Sequence, residues 1–183
     1  VWMVPTTAFF EATMGDEPVE RLLARPELRY VADNFIQGWP TTTTQLRGDA
    51  SATADTRHRY LALRRRILLA MHTGGVGIVL GSDSPQLWNA PGFSLAHELE
   101  SYVAAGLTPY EALATGTRNV AAFLGNQGEA GTVEVGKRAD LILLDANPLA
   151  DISNIARRAG VMVGGWWLSR AEIDRRLAAL AYR

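Results

Sequence analysis

Residues 77–85 read GIVLGSDSP: an apolar run, Gly77-Ile78-Val79-Leu80, that stops on an acid, Asp83, with a serine on either side and a proline two positions on. Val76–Leu80, a short apolar run bounded by Gly81, has the texture of a buried strand, as in parallel sheets. The flanking segments have helical texture. Upstream, Asp55–Met71 places Tyr60, Leu63, Ile67 and Ala70 at helical spacing, with Asp55 set to cap the start and Gly74 and Gly75 to close the end. Downstream, a second helix is predicted from Ser94, with Leu95, Leu99, Tyr102 and Val103 on one face. Helix, strand, helix points to a parallel α/β layer, and in such layers functional groups gather at the carboxyl ends of strands. Asp83 stands just past such an end. Ser82 and Ser84 are placed to hydrogen-bond its carboxylate and keep it ionised. A plain turn residue ahead of a proline is the other reading of the same letters.

The remainder of the chain fits this frame. VWMVPT (Val1–Thr6) predicts a second buried strand ending near Pro5. Asp16–Tyr30 has a helical pattern with Pro18 near its start and Pro26 interrupting it. Residues 37–54, QGWPTTTTQLRGDASATA, are polar, aperiodic and rich in glycine and threonine, so a loop is expected. Thr108-Pro109-Tyr110-Glu111 combines a capping box with proline at the first helical position, and Thr117–Leu124 reads as a short helix closed by Gly125. Beyond Gly125, GEAGTVEVGKRADLILLDANPL alternates between glycine turns and predicts β-structure, GVMVGGWWL predicts a further strand pair, and Ser169 opens a last helix with Ile173, Leu177 and Leu180 apolar. No internal repeat is visible.

The 183 residues suffice for one domain or a large piece of a bigger one, and 48% hydrophobic with 20% charged residues is globular composition. A net charge of −1 provides no general field for nucleic acid or an anionic membrane, and no apolar run reaches membrane-spanning length. With no cysteine, disulfides and thiolate metal sites are excluded, while the compartment stays open between cytoplasmic and secreted. The sequence opens at Val1, inside a strand pattern and without a basic n-region, which creates the expectation that upstream sequence, with room for a signal segment, is missing.

GIVLGSDSP, PGFSLAHELESYVAAGLTPYEALATGTRNVAAFLG and GTVEVGKRADLILLDANPLADISN together resemble the C-terminal part of the amidohydrolase superfamily, in its imidazolonepropionase and Xaa-Pro dipeptidase-like branch. The resemblance extends from VWMVPT to GGWWLSRAEIDRRL, and the combination of GSD, AGLTPYEAL, Thr117–Asn119 and GKRADLILLD makes it specific. It implies an α/β fold: the last two strands and helices of a (β/α)8 TIM-type barrel over residues 1–127, then over 128–183 the returning part of a small β-sandwich with a C-terminal helix. It implies hydrolysis of a C–N bond in a small cyclic amide or Xaa-Pro dipeptide, with one or two divalent metals, zinc foremost. Asp83 matches the family's aspartate after the eighth strand, which serves as metal ligand and general base. The His-x-His motif is absent, and none of His58, His72 and His97 follows a strand as the family's ligands do. The first six strands and four of five metal-ligand positions therefore lie outside this sequence, and the isolated chain is expected to be inactive.

The other candidates have two readings each. His97, in the first turn of the helix after Asp83, is either a substrate contact or an ordinary first-turn residue. Trp39 is a lid over the substrate or the anchor of a loose loop. His72 suits a helix C-terminus, His58 has no assigned role, and Arg64-Arg65-Arg66 reads as a solvated helix face. Trp166 and Trp167 are expected to pack the sandwich or a subunit contact. The partners expected are a small-molecule substrate and the missing N-terminal barrel portion, in cis or in trans, with a homo-oligomer as an option. The rival to the enzyme fragment is a non-enzymatic α/β module that pairs with another chain or with itself, because two barrel strands leave open edges.

Overall fold

The computed structural model describes residues 1–182. Strand β1 (Trp2–Met3) is followed by helices α1 (Thr7–Met14), α2 (Val19–Leu23), α3 (Asp33–Ile36), α4 (Trp39–Gly48) and α5 (Ala54–Thr73). Strand β2 (Gly77–Ile78) comes next, then α6 (Ser94–Ala104), α7 (Pro109–Thr115) and α8 (Arg118–Leu124). The chain ends in β3 (Leu141–Leu144), β4 (Arg158–Val163), β5 (Trp166–Ser169) and α9 (Arg170–Leu180). β1 and β2 form a two-stranded parallel sheet, Trp2 opposite Gly77 and Met3 opposite Ile78, while β3-β4-β5 is an antiparallel sheet. The fold is thus the α/β arrangement that the sequence predicts, with a β-layer at the end.

Two apolar cores hold it together. One joins Leu22, Leu28, Ile36, Trp39 and Trp88. The other joins Leu68 of α5, Ile78 of β2, Leu99 and Tyr102 of α6, and Ile152 from the turn between β3 and β4. Ile152 draws the β-layer onto the helices. The local signals act as their chemistry requires. The Thr108–Glu111 capping box is complete, Gly125 closes α8 at φ 71°, and Ser169 caps α9 by accepting the Glu172 amide.

Helix α1 is the hub. Its first two amides, of Thr7 and Ala8, donate to the fully buried carboxylate of Glu98 at 2.7 Å each. At its other end Arg47 donates to the carbonyls of Ala12 (2.8 Å), Thr13 (2.9 Å) and Glu17 (2.8 Å), and Arg57 donates to Met14 at 3.0 Å. An anion at the amino end and cations at the carboxyl end satisfy orphan backbone groups and complement the helix dipole.

Several sequence expectations are corrected. Residues 39–48 are a helix, not loop. The polar Thr43 occupies a buried position and Arg47 faces α1, so the inward face of α4 carries no apolar period to read. The β1 segment is not buried: Trp2, Met3 and Val4 are between 37% and 49% exposed, because no strand lies on its outer side among the described residues. The second strand is shorter than Val76–Leu80, and α5 is capped by Thr53 rather than Asp55. Residues 128–140 form turns, with Val133 and Val135 in solvent. Arg64 and Arg65 are not a solvated face. Arg64 lies 3.5 Å over the Phe10 ring and donates to the Pro5 carbonyl, and Arg65 pairs with Glu11 at 2.6 Å. Of the two tryptophans, Trp167 covers Gly160, while Trp166 is 82% exposed in the single chain.

Arg47→Ala is expected to lower stability by about 2–3 kcal/mol, since three charge-assisted bonds go at once. Arg47→Lys should recover less than half of that, an ammonium lacking the planar fork. Denaturant midpoints of the two variants check both figures.

Candidate functional site

β1 and β2 run parallel, so their carboxyl ends open on the same side of the sheet. The segments leaving those ends share one property. The non-glycine residues with positive φ among the described residues are Thr6 (48°), Asp83 (56°) and Trp88 (64°). All three follow a strand end: Thr6 leaves β1, and Asp83 and Trp88 belong to the segment leaving β2. Left-handed backbone costs a non-glycine residue on the order of 1–3 kcal/mol and persists only where its surroundings enforce it.

The enforcement is visible. The Trp88 indole is fully buried and donates through Nε1 to Thr43 Oγ1 at 2.8 Å, with Trp39 edge-on at 5.6 Å. Asn89, 2% exposed, donates through Nδ2 to the Ser82 carbonyl at 2.5 Å, and its amide donates to Gln86 at 2.9 Å. The chain from Ser82 to Asn89 is therefore a tight loop closed on itself and plugged into the first core.

At the apex the Asp83 side chain is exposed, with Gln86 Nε2 donating to Oδ2 at 3.2 Å. Ser82 and Ser84 do not hold the carboxylate as the sequence suggests; their hydroxyls bond to each other at 2.9 Å. The carboxylate is open to whatever occupies the mouth of the sheet.

His97 lies elsewhere. Glu100, 3.8 Å from Nδ1, and Glu27, 2.9 Å from Nε2, raise its pKa to about 9 against the opposing effect of burial. With Glu11, Arg25 and Asn89 it lines a cavity of about 250 Å³ between α1 and α6 that Asp83 does not line. Trp39 is 8% exposed at the start of α4, in a helix rather than the expected loop, and its ring packs edge-on against Trp88. His72 ends α5 beside Glu111 at 3.1 Å, and His58 pairs with Asp16.

Trp88, Asn89, Thr43 and Glu98 escaped the sequence reading. For Glu98 a signal existed: it falls between Leu95 and Tyr102 on the apolar face of α6, where a carboxylate needs built-in partners. Burial pushes its carboxyl pKa up against the two amides that it accepts. For Trp88 and Thr43 no local pattern pairs residues 45 positions apart.

The Amidohydrolase family profile matches residues 36–168, and the chain belongs to that family. An imidazolonepropionase of Maricaulis maris (strain MCS10) is 39% identical over 102 residues, covering 54% of this chain and 25% of that protein. An ochratoxinase of Aspergillus niger is 41% identical over 80 residues, 43% of this chain and 16% of that protein. Among solved structures, bottromycin amidohydrolase aligns with a TM-score of 0.76 at 24% identity, over 98% of this chain and 40% of that one. A Xaa-Pro dipeptidase with methionine in its active site aligns at 0.61 and 21% identity, over 92% and 34%. Both structural likenesses are of fold. The chain spans a quarter or less of these two sequence relatives.

Amidohydrolases typically work with divalent metal. Asp83 supplies one carboxylate, and no three His, Asp or Glu side chains converge among the described residues. A catalytic zinc takes about three protein ligands, so the residues of this chain do not by themselves fit a metal.

The His97 pair has a pH signature. A histidine whose folded pKa lies above 6.5 stabilises the fold fully below pH 6.5, and that contribution disappears as pH rises through about 9. The stability difference between the wild type and His97→Gln, measured by urea unfolding, is expected to be largest near pH 6 and to shrink steadily by pH 9.5.

Proposed function

We propose that this chain is the C-terminal portion of a metal-dependent amidohydrolase that hydrolyses a C–N bond in a small cyclic amide or an Xaa-Pro dipeptide. In this reading residues 1–127 belong to the barrel and 128–183 to the returning β-layer. Asp83 is the site residue this portion contributes, as one ligand of a divalent metal, zinc by family likeness, and as general base. The observation that carries the reading is the strained, exposed Asp83 turn at the mouth of a parallel pair, held by buried hydrogen bonds that also tie it to the first core.

The chemistry asked of Asp83 is proton transfer. Hydrolysis forms a C–O bond from water to the carbonyl carbon and breaks the C–N bond. A carboxylate beside the attacking water takes its proton and passes it to the departing nitrogen. A rigid turn suits that role, since displacement of a reacting group by about 1 Å costs on the order of a hundredfold in rate. The other ligands and the substrate pocket come from polypeptide outside this chain, in cis or in trans.

The open outer edge of β1 also supports a second reading, a non-enzymatic α/β module that pairs with another chain or with itself. The two part company at Asp83, which the module does not need.

The 183-residue chain, loaded with zinc, manganese or cobalt, is expected to show no turnover of a cyclic amide or an Xaa-Pro dipeptide. When it is part of the polypeptide that completes the layer, Asp83→Asn should lower kcat by about a thousandfold or more with little change in melting temperature. Steady-state kinetics beside a thermal melt check this. Full activity in the Asp83→Asn enzyme would leave the module reading standing.

A further inference from the structure

The outer edge of β2 is bonded by the chain's own helices. Across the parallel pair, Val1 and Met3 accept the amides of Gly77 (3.2 Å) and Val79 (3.0 Å). In a parallel ladder alternate residues face the same neighbour, so Ile78 and Leu80 turn their peptide groups to the other side. The corner between α7 and α8 meets them there. Asn119 Nδ2 donates to the Ile78 carbonyl at 2.8 Å, and the Leu80 amide donates to the Thr115 carbonyl at 3.0 Å. One donor and one acceptor thus stand where a strand's own would. Gly116 permits the close approach, since a Cβ there would lie 2.8 Å from Leu80 Cδ2.

Asn119 directs its amide away from its own helix. It is the second residue of α8, and asparagine is a weak helix former. The bond it makes reaches 41 positions back along the chain. One turn further on, Phe123 meets Trp2 of β1 edge-on at 5.8 Å, so one face of α8 touches both strands. Two short strands paired only with each other are a marginal structure and hold loosely the chain that leaves them. The Asn119 bond fixes Ile78 from the side that β1 does not reach, five residues before Asp83. Asn89 holds Ser82 from beyond the turn at 2.5 Å.

We propose that Asn119 is a positioning residue for Asp83: its side-chain amide takes the place of a neighbouring strand at the outer edge of β2 and aims the turn that carries the carboxylate. That Asp83 acts on a substrate rests on the reading given under Proposed function; the hold on the turn does not.

Asn119→Asp preserves the size of the side chain and, as an acid in the first turn of α8, favours that helix. It has no N–H to donate and sets a carboxylate against the Ile78 carbonyl. Asn119→Gln keeps the amide. Amide hydrogen exchange in the 183-residue chain, followed by NMR, is expected to be at least about tenfold faster at Leu80 and Asn89 in Asn119→Asp, with Leu68 and Leu99 of the core unchanged. Asn119→Gln should restore most of the protection. In the enzyme that the rest of the layer completes, Asn119→Asp should lower kcat by about ten- to a hundredfold and leave KM in place. Wild-type exchange at Leu80 and Asn89 in Asn119→Asp overturns the proposal. So does an equal loss of protection at all four amides, which would make the bond a general support of the fold. Asp83→Asn separates the two readings. If it keeps full activity while Leu80 and Asn89 loosen in Asn119→Asp, the enzymatic reading falls and the hold on the turn stands. If it is inactive while Asn119→Asp keeps the wild-type kcat, the positioning role falls and the enzymatic reading stands.

Discussion

Two kinds of charged side chain, drawn from distant parts of the sequence, hold the ends of helix α1. Glu98 accepts its first amides, and Arg47 and Arg57 donate to its last carbonyls. An eight-residue helix has too little internal hydrogen bonding to persist alone. Here it persists because each terminus is satisfied from outside. The consequence is geometric. α6, which follows the Asp83 turn, is tied to the residue after Thr6, and α4 and α5 are tied to the far end of the same helix. The segments leaving β1 and β2 are thereby fixed relative to each other by buried, charge-assisted bonds.

That framework explains how the chain keeps left-handed backbone at Thr6, Asp83 and Trp88. The Glu98 bonds begin at Thr7, immediately after Thr6. Trp88 and Asn89 fasten the other turn, one to Thr43 and one to Ser82. Strain at the strand ends and rigidity beneath them form one arrangement. Under the proposed function, such an arrangement would hold the Asp83 carboxylate in a single orientation.

Much of this was legible in the sequence, and the rest was hidden for identifiable reasons. GIVLGSDSP disclosed a strand end bearing an acid because apolar run, glycine and proline act locally. The capping box at Thr108 and the close at Gly125 were equally local. Helix α4 was missed because its inward face is built from Trp39, Thr43 and Arg47, whose partners are a distant indole and the end of another helix. The turns of residues 128–140 were misread as strand because Val133 and Val135 alternate as a strand would, yet no strand lies opposite them among the described residues. The place of Asp83 after the apolar run is legible in the sequence, and the anchors of its turn are not, since the bonds that hold it span seven residues in one case and 45 in another.

The central claim is that this chain alone builds the strand-end turns and holds them as firmly as its core. Amide hydrogen exchange followed by NMR tests it most directly at Thr7, Ala8 and Asn89, whose N–H groups bond to Glu98 and Gln86. The account predicts that these three amides exchange only through opening close to global unfolding, in step with Leu68 and Leu99 of the core. Exchange at the rate of an unstructured peptide at all three, while Leu68 and Leu99 stay protected, would contradict it.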